Sequence, residues 1–194
     1  MTFGIICAMP EELHALSERL TDRTETVLGG KTYLAGTIEN QAVVLVKSGI
    51  GKVEAGITAE HLITDFKVDV VINSGSAGGI GEGLHVGDVV IATETAYHDV
   101  DVTAFGYEYG QLPAQPARFS ADPTWVERIS EAGKETGLNI KQGLIVTGDQ
   151  FVSSKAMIQQ IKARFNDALS SEMEGAAVGQ VATDHQVPYV VVRA

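Results

Sequence analysis

Four stretches join polar side chains to turns that expose them. Glu11-Glu12 follow the apolar run FGIICA at 3–8, and Ser48-Gly49-Ile50-Gly51 follow AVVLVK at 42–47. Ser74 to Gly79 (SGSAGG) follow VDVVIN at 68–73, and Glu172-Met173-Glu174 end the segment that begins at 168. In open α/β sheets, ligands bind at the carboxyl ends of strands, where these residues would lie. Glycine and serine in the turn at 74–79 let a backbone approach a planar ring. Glu172 and Glu174 are two residues apart, so an extended strand aims both carboxylates from one face. Each stretch also has a structural reading. Glu11, Glu12 and Glu174 suit the positive end of a helix dipole, and the glycine turn can be a tight connection. Phe151 and Phe105 can be core aromatics.

These positions need a scaffold, and the hydropathy pattern supplies one. Apolar strand-like runs at 3–8, 24–28, 31–38, 42–47, 68–73, 86–93, 140–147, 168–173 and 187–193 alternate with helical patterns. The helices are expected over 10–20, 52–66, 123–136, 155–165 and 174–185. Pro10 fits the first turn of the first of them. Gly29-Gly30 marks a hairpin turn. Residues 103–120 have little periodicity and read as a long loop, of the kind that is functional or lies at an interface. The expected architecture is α/β: a three-layer sandwich with a central mixed, mostly parallel twisted sheet flanked by helices. No repeat or linker divides residues 1–194, so one domain is expected.

Composition narrows the function classes. The 194 residues carry 14 Lys and Arg against 25 Asp and Glu, a net charge of −11. With no basic cluster, neither a nucleic acid nor an anionic membrane is an expected partner. A small neutral or cationic ligand remains open. The single cysteine, Cys7, can form no internal disulfide and supports no cysteine-rich zinc site. No apolar run approaches the roughly 18 residues of a membrane span, so a cytoplasmic location is expected. The Rossmann fingerprint fails because position 84 is Leu. The P-loop fails because Val46 stands where its first glycine would be and Val53 follows Lys52. No G-x-S-x-G or H-E-x-x-H occurs, and the five histidines are scattered, so neither metal nor cofactor is expected.

Taken together, the blocks GIICAMPEE, KSGIGKVEAG, VVINSGSAGG, GDVVIATE, YHDVDVTAFGYEYGQLP, GLIVTGDQF, SEMEGAAVGQVA and VPYVVVRA decide more than any one of them. They are in order from residue 1 to residue 194. They resemble the 5'-methylthioadenosine/S-adenosylhomocysteine nucleosidases of the purine nucleoside phosphorylase and hydrolase superfamily.

The resemblance implies hydrolysis of the N-glycosidic bond of methylthioadenosine and S-adenosylhomocysteine, and commonly of 5'-deoxyadenosine. Adenine and a 5'-thioribose product result, in methionine salvage, the activated-methyl cycle and the supply of an autoinducer-2 precursor. In such a reaction the sugar develops oxocarbenium character, and a water must reach the anomeric carbon as the purine is protonated. Glycosidases divide similar tasks between two carboxyl groups.

By resemblance, Glu12 activates the water and Glu174 accepts hydrogen bonds from the ribose hydroxyls. Met173 packs on the ribose, with Glu172 in the same binding set. Phe151 stacks on adenine while the Val152 backbone reads its edge. Ser76, Ala77 and Gly78 line the base and sugar pocket, Ile50 contacts the thioalkyl side, and Arg193 lies near the ribose and the water. Val102, Phe105 and Pro113 reach the pocket of a neighbouring subunit, which implies a homodimer with composite sites.

In that family V-V-R-A continues as I-S-D-x-A-D, whose aspartate is the general acid, and a long helix follows. The expectation is therefore a native chain that continues past Ala194, with residues 1–194 alone lacking the acid and the last helix and turning over slowly or not at all. Two other readings stand beside the nucleosidase. One is a phosphorylase of the same superfamily, which needs an anion site that the charge of Glu12 opposes. The other is an inactive binding protein, if the chain ends at Ala194.

Overall fold

The computed structural model describes residues 1–194. Eleven strands form one sheet: β1 (Thr2–Cys7), β2 (Thr21–Leu28), β3 (Lys31–Ile38), β4 (Gln41–Lys47), β5 (Val70–Gly75), β6 (Gly78–Gly79), β7 (Val89–Tyr97), β8 (Phe119–Ser120), β9 (Ile140–Thr147), β10 (Ala168–Glu172) and β11 (Tyr189–Arg193). Five helices cover it: α1 (Pro10–Glu18), α2 (Lys52–Thr64), α3 (Pro123–Glu135), α4 (Lys155–Arg164) and α5 (Gly175–Asp184). The expected α/β class holds, with helices on both faces of a mixed sheet. No helix is long and apolar enough to cross a membrane.

Alternation along β4 shows how the layers form. Val43 and Leu45 pack under Leu13 and Leu16 of α1 and Leu20 just after it. Val44 and Val46 turn to the opposite face, toward Ala55, Ala59 and Leu62 of α2. Phe3 packs edge-on against Trp125 of α3, so α1 and α3 share a layer. In β9, Leu144 and Val146 meet Ile161 of α4, while Ile145 belongs to the core that holds Ala176 and Val178 of α5. Helix starts follow side-chain chemistry. Asp122 accepts hydrogen bonds from the Thr124 and Trp125 amides at the start of α3, and Ser154 does so from Met157 at the start of α4.

The sheet order is β2-β3-β4-β1-β5-β11-β7-β9-β10-β6, with β8 added against β7. The pairings β4–β1, β1–β5, β5–β11, β7–β9 and β9–β10 are parallel, and β11–β7 is antiparallel. β6 follows β5 after two residues, yet it pairs with β10 at the far end of the order through Gly78–Ser171 and Gly79–Ser170. The strands from β5 to β10 therefore curl back on themselves. That curl brings the end of β10 beside the ends of β5 and β11, although β10 runs opposite to them.

Some boundaries differ from expectation. β5 extends through Ser74 and Gly75, and Gly78–Gly79 forms β6, so the expected turn at 74–79 is largely paired. β7 runs on to Tyr97. The long loop contains a 3-10 turn at Thr103–Phe105 and ends in β8. It is held by its own bonds, from the Gly110 amide to the Val100 carbonyl (2.9 Å) and from the Tyr109 hydroxyl to the His98 carbonyl (3.1 Å).

Candidate active site

Glu12 sits one turn into α1 and is held by four donors. Its Oε2 accepts from the Ala8 and Met9 amides (3.0 and 3.1 Å), at the junction of β1 and α1. Its Oε1 accepts from the amide and hydroxyl of Ser76 (2.9 and 3.0 Å), just past β5. One carboxylate thus reaches both the start of the helix and the edge of the cavity. One oxygen caps the helix, and the other faces the loop that lines the cavity.

Glu174 stands at the cap position just before α5, but its side chain does not cap that helix. Glu172 does so instead, accepting from the Glu174 and Gly175 amides (3.1 and 2.8 Å). The hydroxyl of Thr147 also donates to Glu172. Glu174 turns toward the cavity and accepts from the Gly51 amide (2.9 Å) through Oε1. Both carboxylates meet Arg193 at the end of β11. Its Nη2 donates to Glu172, to Glu174 (3.2 Å) and to the Asn73 side-chain Oδ1 (2.6 Å). The three charged side chains are 1%, 2% and 5% exposed for Arg193, Glu172 and Glu174.

Burial raises the Glu174 carboxyl above its ordinary value of 4.5, and the Glu172 charge adds to the rise. The Gly51 amide and Arg193 pull it back, and Glu12 pushes it up again. A carboxyl raised in this way keeps its proton in the folded state after the unfolded chain has lost it, so this group's contribution to stability falls as pH climbs from 4.5 through the raised value. If Glu174 must be ionised to bind sugar hydroxyls, the acid limb of kcat/KM lies above pH 4.5. A pH–rate profile of the protein and of Glu174→Gln checks this, because the limb due to Glu174 must be missing in the variant.

A cavity of about 320 Å³ collects the sequence candidates. Glu12, Ile50, Ser76, Ala77, Gly78, Phe151, Val152, Glu172, Met173 and Glu174 all line it. Ile50 and Phe151, 56% and 80% exposed, leave apolar surface at its mouth. Arg193 is not among the lining residues and acts from behind by holding the carboxylates. Val102, Phe105 and Pro113 do not line it either. They lie on the 98–118 segment, where Phe105 is 82% exposed. Four lining residues had no sequence signal of their own: Ala8, Met9, Gln150 and Ser171. Asn73 did have one, as a lone amide ending an apolar strand, and it is fully buried against Arg193. No group of three or more His, Cys, Asp or Glu side chains is arranged to hold a metal ion.

Gly75 is where the carboxylate and the guanidinium converge. A Cβ there would stand 2.5 Å from Arg193 Nη1 and 2.7 Å from Glu12 Oε1. Neither neighbour can retreat without giving up hydrogen bonds that hold it in place. Gly75→Ala is therefore expected to lower kcat/KM by roughly tenfold or more through displacement of Glu12. Steady-state kinetics on a variant that retains the parent circular dichroism checks this, and unchanged kinetics would show that Glu12 tolerates the shift.

Comparison with known proteins places this geometry in context. The phosphorylase superfamily model matches residues 2–194. A 5'-methylthioadenosine/S-adenosylhomocysteine nucleosidase of Actinobacillus succinogenes is 48% identical over 194 residues, covering all of this chain and 84% of that protein. The solved nucleosidase of Streptococcus pneumoniae, bound to a transition-state inhibitor, superposes with a TM-score of 0.96 at 50% identity. That of Neisseria meningitidis, bound to methylthio-immucillin-A, gives 0.98 at 44% identity. Each of these two matches covers all of this chain and 84% of the solved one.

Proposed function

The chain belongs to the phosphorylase superfamily, and we propose that it hydrolyses the N-glycosidic bond of 5'-methylthioadenosine and S-adenosylhomocysteine to release adenine. The observation that carries this reading is the convergence of Glu12 and Glu174 on one cavity with Phe151 at its mouth. A planar base stacks on Phe151, and the Val152 backbone meets its edge. The ribose then lies over Met173, with its hydroxyls donating to Glu174.

Glu12 prepares the nucleophile. Its Oε2 is committed to backbone amides, while the Ser76 hydroxyl on Oε1 can rotate away. A water taking its place donates to Oε1 and loses its proton there as it adds to the anomeric carbon. The carbon–nitrogen bond breaks, its electron pair leaves with the purine, the purine takes a proton from solvent, and Glu12 returns the proton it accepted to bulk water. Negative charge at Glu12 and Glu174 favours the developing sugar cation over the neutral substrate. The same charge opposes phosphate as the nucleophile, so water is the co-substrate.

The exposed Phe105 and Pro113 fit a homodimer in which each chain's 98–118 segment closes the other chain's thioalkyl pocket beside Ile50. The lone buried thiol, Cys7, is held up to about 12 by burial and by Glu12, and it suits a cytoplasmic protein. The test is adenine release from methylthioadenosine in phosphate-free buffer by the protein as its gene encodes it. Release without phosphate is expected. Strict dependence on phosphate would make the activity a phosphorylase, and no release under either condition would overturn the reading.

A further inference from the structure

Two segments that border the cavity, the turn before α2 and the 148–152 loop, meet the residues after β7 at a largely enclosed ion pair away from the reacting atoms. Lys52, the first residue of α2, donates through Nζ to both carboxylate oxygens of Asp99 (2.9 and 2.8 Å). Little of either side chain reaches solvent, and the ammonium lies 5.3 Å from the centre of the Tyr97 ring. Asp99 also accepts from the Asp149 amide (2.8 Å). Asp149 closes the circuit by accepting from the Lys52 amide (2.8 Å). Asp99 thus ties together the residues after β7, the 148–152 loop and the start of α2.

The next link reaches the site. Gly51 precedes Lys52 with a φ of +102°, a conformation that glycine adopts readily, and a Cβ there would stand 3.0 Å from Asp149 Oδ1. The Gly51 amide, aimed by that conformation, donates to Glu174. The 148–152 loop, fixed on its other side by Asp99, carries Phe151 and Val152.

We infer that Asp99, paired with Lys52, is a positioning residue that holds the Gly51 amide on the Glu174 carboxylate and the Phe151 loop over the base. The inference deepens the nucleosidase reading and rests on it for the identity of the substrate. Loosening the pair weakens a hydrogen bond that stabilises ionised Glu174. The other charges facing Glu174 are Glu172 from β10, Arg193 from β11 and Glu12 from α1, and none of them touches Asp99 or Lys52.

The experiment compares Asp99→Asn and Lys52→Met with the parent protein. In each variant the acid limb of kcat/KM is expected to move to higher pH, with kcat/KM reduced about tenfold to a hundredfold at neutral pH. In a Glu174→Gln background the same substitutions should cost far less, because the group they act on is gone. A 13C-detected titration of the Glu174 carboxyl follows the same shift without any turnover. An unmoved titration in the folded variants overturns the positioning role, even if activity falls. Failure of the parent protein to release adenine would overturn the substrate reading alone, and the titration would still decide the role of Asp99. If Asp99→Asn does not fold, Lys52→Met carries the test, since the Asp149 amide still anchors Asp99 in that variant.

Discussion

Glu12→Gln is expected to lower kcat by about 10²- to 10⁴-fold while leaving the fold and KM nearly unchanged, the range typical for loss of a positioned acid–base group. The amide can still cap α1, because one carbonyl oxygen suffices for the Ala8 and Met9 amides. Its NH2 must then take the place of Oε1, opposite the Ser76 amide. Two donors face each other there, and neither accepts a proton from water. The change removes the base without opening a void, which separates it from Glu12→Ala. Turnover is read by adenine release in phosphate-free buffer, with thermal melting as the control for folding. A kcat within about threefold of the parent would take water activation away from Glu12 and leave it a helix cap. Glu12→Asp is informative as well. It keeps the charge but shortens the reach by about one carbon–carbon bond, so its kcat should fall between the two.

Which parts of this arrangement the sequence reveals follows from how local each signal is. Pro10, Asp122 with Pro123, and Ser154 mark helix starts, because capping depends on residues within one turn. The unbroken apolar run of β4 announces a strand buried on both faces, because such a run is a property of the strand alone. Two-residue strands such as β6 and β8 have no period to read. Their existence depends on partners about 90 and 25 positions away in the chain, a matter of sheet register. The curl that brings β10 to β5 and β11 is invisible for the same reason. The carboxylates at the strand ends are legible, since polar residues closing apolar runs stand out. What fixes them is not. Lys52 and Asp99 lie 47 residues apart, and each alone resembles an ordinary surface charge. Arg193 reads as a strand-terminal residue near the ligand, and only the fold shows it buried behind two glutamates.

Arg193→Met is expected to destabilise the protein by about 3–5 kcal/mol near neutral pH, the usual cost of removing one partner from a buried charge pair. Methionine occupies similar space without the charge, so the loss is mainly electrostatic. The two glutamates left behind are not equal. Glu172 keeps the Thr147 hydroxyl and the Glu174 and Gly175 amides, whereas Glu174 keeps only the Gly51 amide. Glu174, already raised by burial and by Glu172, therefore takes up the proton first once the guanidinium is gone. Its folded-state value then rises further above that of the unfolded chain. Between the two values the folded state binds the extra proton, so stability falls as pH rises through that window and is regained on acidification toward 4.5. Urea denaturation at several pH values checks this, with the deficit between variant and parent shrinking at acid pH. An equal deficit at every pH would mean that Arg193 stabilises by packing, not by charge. Activity supplies an independent reading. A protonated Glu174 no longer offers two acceptor oxygens to the ribose hydroxyls, so the acid limb of kcat/KM is expected to lie at higher pH in the variant than in the parent. Adding Glu172→Gln to Arg193→Met removes one of the two facing charges, and it should recover part of the stability while sparing Glu174 itself.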